Sequence, residues 1–292
     1  MPGRRSRLGA LASHQICAIA VVTALMWTLA SCSESARAPH AGSVHHPAPA
    51  AWMMTRYALT QVSADPTVRA GLRGAEVYQL IQPGQAPIAW PGSIPVVTFT
   101  AAGQLEQAVH GHQLPAGTRA VLYDPEAWHF TPADEQRDPV PAAQRAMAAA
   151  RAHGLTLIVA PALNLTTVHR YGTGPRWQQF LHSGLIAGLA RTTDVIELQA
   201  QSLERDVPVY ESFVRQAVAQ ARAANPQVKI LAGLSTNPPG PPVSSQQLTA
   251  AINATQGLVS GYWLNIPGKG PRCPTCNTPR PDVGRAALRA VL

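Results

Sequence analysis

Residues 194–201 read Asp-Val-Ile-Glu-Leu-Gln-Ala-Gln. In a strand the side chains alternate between faces, so Ile196 and Leu198 share one face while Glu197, Gln199 and Gln201 share the other. A central strand of an open parallel sheet is covered by helices on both sides and carries apolar residues on both faces. One apolar face toward helices and one polar face toward a wet interior instead suits a strand of a closed (β/α)8 TIM barrel. The open-sheet alternative also lacks its dinucleotide signature: no Gly-x-Gly-x-x-Gly follows the early strands, and no Walker sequence occurs.

Strand-like and helix-like segments alternate on both sides of this stretch. Upstream, residues 75–81, 94–100, 119–123 and 155–160 are short, apolar and rich in β-branched residues. Between them, 105–109 reads as a helical turn and 141–153 as an Ala-rich helix stopped by Gly154. Residues 176–190 show helical spacing through Phe180, Leu181, Leu185 and Leu189. Downstream come a helix over 209–224 ended by Asn225-Pro226, a strand over 229–234, a helix over 244–255, a strand over 258–265 and a terminal helix from Pro281. Alternating strands and helices predict a parallel sheet with right-handed crossovers, an α/β fold. Seven strands are one short of a closed barrel. The barrel is incomplete unless an eighth strand lies near Trp52 to Leu59.

The N-terminus has a different character. Arg4, Arg5 and Arg7 precede an apolar run from Ile16 to Leu29 that is interrupted by Thr23 and Thr28. A basic start followed by an apolar run is the pattern of a secretory signal, and the run is short for the ~20 residues of a membrane span. Its end, Leu29-Ala30-Ser31-Cys32, resembles the lipobox of bacterial lipoproteins. That resemblance implies cleavage after Ser31, acylation of Cys32 and a mature protein held on the extracytoplasmic face of the cell membrane by its lipid. The segment after Cys32 is rich in Ala, Pro, Ser and His and has no apolar period, so it reads as a flexible tether. The expected organisation is a signal peptide over 1–31, a tether over 32–50 and a barrel over 51–292.

Composition excludes some partners. Removing Arg4, Arg5 and Arg7 with the leader lowers the formal charge from +8 to about +5, and the remaining positive charges are scattered. With no basic stripe and no interleaved aromatics, nucleic acid is excluded. Lys229 and Lys269 are the only lysines, a bias typical of GC-rich bacterial genomes such as those of actinobacteria. Besides Cys17 and Cys32, the chain carries Cys273-Pro-Thr-Cys276. A zinc site would need two further ligands, and a thioredoxin-like centre would place the pair after a first strand. A small structural disulfide between Cys273 and Cys276, formed outside the cytoplasm, fits best.

In a barrel of this kind the active site lies at the C-terminal ends of the strands. The sharpest cluster there is Tyr123-Asp124-Pro125-Glu126-Ala127-Trp128. Two residues apart in extended chain, Asp124 and Glu126 share a face at about 6.6 Å between backbone positions. Like charges that close raise one pKa and leave a carboxylic acid near neutral pH, and such pairs run glycoside hydrolysis. Trp128 is placed to stack on a sugar ring. Other strand ends add Asn164, Glu197, Gln199, Gln201, Ser235, Asn237, Trp263 and Asn265. Amides both donate and accept, so such a lumen suits a carbohydrate or another small polar ligand. No Gly-x-Ser-x-Gly, no His-Glu-x-x-His and no metal or cofactor motif competes. His110-Gly111-His112 reads as a surface turn.

An acidic pair with aromatic neighbours at a strand end resembles the chitinase-like branch of barrel glycoside hydrolases. In that family an Asp and the catalytic Glu, two apart, end the fourth strand. Asp124 and Glu126 match that pair, and the resemblance implies that Glu126 is the general acid and that Asp124 tunes it. Tyr262-Trp263 on the last strand resembles the aromatic floor of the family's sugar site. The family's longer acidic run has no counterpart, since Arg119, Ala120, Val121, Leu122 and Tyr123 stand upstream of Asp124, and the pair falls on the third strand counted here. Glu197 is the candidate second carboxylate across the lumen, as base or nucleophile. The competing expectation is a lipoprotein that binds glycan without cleaving it, using the aromatics and not the carboxyl pair.

Overall fold

Residues 51–55, ahead of every strand recognised in the sequence, supply the strand that closes the sheet. The structure is a computed structural model and describes residues 49–168 and 172–292. Its strands are β1 (Ala51–Thr55), β2 (Glu76–Ile81), β3 (Ile94–Phe99), β4 (Ala120–Tyr123), β5 (Thr156–Val159), β6 (Val195–Leu198), β7 (Lys229–Ser235) and β8 (Gly261–Asn265). They form a closed barrel in sequence order, with every neighbouring pair parallel. The barrel is therefore complete. Asp124 and Glu126 follow the fourth strand rather than the third.

Closure depends on how β1 meets β8, where Ala51 stands opposite Gly261 and Met53 opposite Trp263. A Cβ on Gly261 would overlap the Ala51 carbonyl oxygen and sit 2.6 Å from its carbonyl carbon. Only glycine lets the two strands approach this closely.

Alternation sorts the strand residues into two sets. Met53, Tyr78, Leu80, Val96, Leu122, Ile158, Val195 and Leu231 fill the interior. Trp52, Val97, Val121, Val159, Ile196, Leu198, Ala232 and Tyr262 face outward and pack under the helices. At the lower mouth the Lys229 ammonium donates to both Glu76 carboxylate oxygens, at 2.8 and 3.0 Å, and to the Tyr78 hydroxyl at 3.1 Å. The helical layer comprises α1 (Arg56–Val62), α2 (Pro66–Leu72), α3 (Ala102–His110), α4 (Ala133–Arg137), α5 (Pro139–Ala152), α6 (Arg176–His182), α7 (Leu185–Ala190), α8 (Val207–Ala224), α9 (Ser245–Thr255) and α10 (Pro281–Val291).

Local chemistry sets the helix limits. Asp206 caps α8 by accepting from the Val209 amide at 3.2 Å, with a proline in the first turn where its missing N–H costs nothing. Ser244 and Gln247 form a reciprocal capping box on α9. The segment 176–190, expected as one helix, is two. Gly184 has φ of +76°, which breaks the helix between α6 and α7. Among the described residues, the connection from β2 to β3 contains no helix. The expected signal peptide, Cys32 and nearly all of the expected tether lie outside the described residues. No described helix is long and apolar enough to cross a membrane.

Candidate active site

The pleat at the end of β4 decides what reaches the lumen. Tyr123 points outward, where its buried hydroxyl donates to Glu135 at 2.8 Å. Glu135 also accepts from the Ala102 amide, at 3.0 and 3.2 Å. Tyr123 thus anchors β4 to α3 and α4 and makes no contact with a ligand site, contrary to expectation. The same parity corrects Tyr262. Its hydroxyl donates to the Ile252 carbonyl at 2.9 Å and lies 2.9 Å from the Thr255 hydroxyl, with its ring 5.7 Å from that of Trp52. In each case the next residue, Asp124 or Trp263, faces inward instead.

A cavity of about 1100 Å³ opens at the C-terminal ends of the strands. Asp124, Glu126, Trp128, Asn164, Gln199, Gln201, Ser235, Trp263 and Asn265 all line it. Asp124 is buried and accepts from the Gln199 amide at 2.7 Å, while the same amide nitrogen donates to the Ala160 carbonyl at 2.8 Å. Glu126 is partly exposed to the cavity. The Asn164 side-chain nitrogen donates to it at 3.2 Å, and the Asn164 oxygen accepts from the Ala127 amide at 2.9 Å. Thr131 takes hydrogen bonds from the Glu126 amide and the Trp128 indole, at 3.2 and 2.9 Å. Gln136 in turn donates to the carbonyls of Trp128 and Thr131, both at 2.7 Å. The loop that presents Glu126 and Trp128 is therefore held at several points, the pre-organisation that a positioned acid needs.

Electrostatics follow from this placement. Burial, and then the neighbouring Glu126 charge, hold the Asp124 carboxyl well above the usual carboxylate range, against the pull of Arg272 and the Gln199 hydrogen bond. Burial pushes Glu126 up to about 7, with the Asn164 hydrogen bond and Arg272 pulling the other way. Glu197 lies one layer deeper on β6, two residues before Gln199, and is fully buried. Neither of its oxygens has a hydrogen-bond partner among the described residues. Burial, with the charges of Asp124 and Glu126 above, keeps it far up as well. Glu197 does not line the cavity. It lies beneath the pair and outside the cavity lining, not across the lumen where a second carboxylate would reach a ligand.

Asn237 is also reassigned. Its side-chain nitrogen donates to the carbonyls of Pro267, Asn277 and Thr278, at 3.1, 3.0 and 3.2 Å, so it ties down the loop after β8. In that loop Cys273 and Cys276 are disulfide-bonded. His129 is exposed and lines no part of the cavity; His169 lies outside the described residues. His110 and His112 sit at the end of α3 beside His153. Among the described residues no group of three or more acidic, His or Cys side chains could hold a metal ion.

Several cavity residues carried no signal in the sequence. Arg176 and Trp177 open α6 and read only as the start of a helix, and Arg272 is hidden beside the cysteines. Ser202 also lines the cavity and has φ of +79°, an uncommon conformation for a residue other than glycine. Local sequence cannot report such positions, because loops bring them to the site.

No family model matches this chain, and no curated protein matches it in sequence. Among solved structures it is similar to a curdlan-specific exo-β-1,3-glucanase from Blastomyces gilchristii, at 10% identity over 78% of this chain and 95% of that one, with a TM-score of 0.45. It is also similar to the Bacillus megaterium spore cortex-lytic enzyme SleL, at 10% identity over 75% and 70% of the two chains, TM-score 0.44. A third is a chitinase from Chromobacterium violaceum, at 12% identity over 74% and 93%, TM-score 0.40. Likenesses this distant carry no argument about activity; the barrel rests on its own strand pairing.

Proposed function

We propose that this protein hydrolyses a glycosidic bond, with Glu126 as proton donor. The observation that carries this reading is the Asp124–Glu126 pair at the end of β4, both carboxyls raised, opening into a cavity walled by Trp128, Trp177 and Trp263. At neutral pH a carboxyl that titrates near 7 holds a proton to give. Glu126 passes that proton to the glycosidic oxygen as its bond to the anomeric carbon breaks. Water adds to the cationic sugar, and its proton returns to the Glu126 carboxylate. Asn164 fixes the Glu126 carboxyl, and Asp124 modulates its charge. The indoles offer apolar faces to the sugar ring, and the amides of Gln199, Gln201 and Asn265 answer its hydroxyls.

The test is turnover of a glycan panel by residues 51–292, followed over pH. Glu126 must be protonated to act, so kcat/KM is expected to fall tenfold per pH unit above an apparent pKa near 7. That value belongs to the coupled pair. Turnover that holds steady to pH 9 would remove Glu126 from the donor role. We further propose, from the lipobox-like Leu29-Ala30-Ser31-Cys32, that the chain is lipid-anchored at Cys32 on the outer face of a membrane. Cys32→Ala is then expected to move the protein from the membrane fraction to the soluble fraction; retention in the membrane would reject the anchor.

A further inference from the structure

The cavity is charged in a way that glycoside hydrolysis alone does not require. Its lining holds four side chains that carry or can carry charge: Asp124, Glu126, Arg176 and Arg272. Two of the four, the Arg176 and Arg272 guanidiniums, are positive.

Arg272 is built in. The Gly270 amide donates to the Cys273 carbonyl at 3.2 Å and the Cys273 amide to the Gly270 carbonyl at 3.0 Å, so Arg272 lies inside a turn closed on itself. The disulfide closes the next turn. Asn237 pins the loop on either side of it, through Pro267 before and Asn277 and Thr278 after. The side chain so presented makes no hydrogen bond or ion pair among the described residues, and neither does that of Arg176. Arg205 nearby is different, since its guanidinium is taken up by the carbonyls of Ser202, Pro238, Pro239 and Pro241. Arg205 braces a loop, whereas Arg176 and Arg272 line the cavity with exposed side chains.

A guanidinium has five N–H donors in a planar fork that fits a carboxylate or sulfate in bidentate fashion. Lining the same cavity as the acid pair, Arg272 draws both carboxyls down, which works against a proton donor. A ligand anion on Arg272 would cancel that pull.

Resting on the hydrolase reading, we propose that the substrate is an acidic saccharide, with a ring carboxylate or sulfate seated on Arg272 beside the cleaved bond and Arg176 meeting an anionic group farther along the chain. Arg272 is then the residue that sets specificity for the acidic sugar, and the indoles stack on the rings between.

The experiment compares three hexasaccharides on one backbone: a uronate, its carboxyl-reduced neutral form and a sulfate ester. Binding is measured by calorimetry and cleavage by product analysis. An acidic probe is expected to bind at least tenfold tighter than the neutral one, with affinity falling as salt rises. Arg272→Gln should cost that preference, read as the ratio of acidic to neutral affinity, on the order of tenfold to a hundredfold. Whichever acidic probe wins separates carboxylate from sulfate. Should both be cleaved, the alkaline limb of kcat is expected above that of kcat/KM, because the bound anion neutralises Arg272.

Equal binding and cleavage of neutral and acidic probes would overturn the proposal and leave the hydrolase reading standing. Arg272-dependent binding of an acidic probe with no cleavage would uphold the ligand class and defeat the hydrolase reading. No binding of any acidic probe would overturn the proposal. If Arg272→Gln does not fold, Arg176→Gln and the salt dependence of the unaltered protein decide the same question.

Discussion

Glu126→Gln is expected to lower kcat on any cleaved glycan by about 10²–10⁴-fold, the usual contribution of a positioned acid or base, while the dissociation constant moves less than threefold. The substitution keeps the shape of the side chain and its hydrogen bond with Asn164, and it removes the only proton that Glu126 can transfer. Because burial penalises the charged form of Glu126, the neutral amide should not lower the melting temperature. A variant that melts early would point to lost packing rather than lost chemistry. The measurement is kcat, KM and thermal melting for both proteins in one buffer. Unchanged kcat would remove Glu126 from the reaction. If the parent cleaves nothing and both proteins bind sugars equally, the cavity is that of a binding protein.

The second large effect is structural. Gly261→Ala should destabilise the barrel by about 3 kcal/mol or more, or leave it unable to close, since the added methyl meets the backbone of β1 and not a side chain that can swing away. The strands on both sides are fixed, β8 by its register with β7 and β1 by its register with β2. Gly103 in α3 is the control. Nothing lies within 4 Å of a Cβ added there, so Gly103→Ala is expected to stabilise by about 0.5–1 kcal/mol through helix propensity and a less flexible unfolded chain. Chemical denaturation separates the two. Gly261→Ala with parental stability would mean that β1 and β8 do not meet in solution as described.

The residues that revealed the barrel were those whose two faces differ. Glu197, Gln199 and Gln201 against Ile196 and Leu198 gave a clean period of 2, and the structure puts the polar set inside. β1, expected only as a candidate eighth strand near Trp52 to Leu59, is hard to assign for the opposite reason. Ala51, Trp52, Met53 and Met54 are all buried, so the strand has no polar alternation, and methionine has no strand preference. Losing that strand shifted the count and moved the acidic pair to the third position. Parity also explains the site. Tyr123-Asp124 and Tyr262-Trp263 were each read as a pair of cavity residues, yet adjacent residues on a strand cannot both face in. One tyrosine of each pair had to belong to the helical layer. Glu197 was placed on the correct face but at the wrong depth, because the position where a lumen turns from packed to open depends on all eight strands. Arg272 and Trp177 depend on loop paths that no local pattern encodes.

The chain enters the barrel at the base of β1, by Ala51, whereas the cavity lies at the other end of the same strands. Residues 49 and 50 therefore meet the barrel on the face away from the opening.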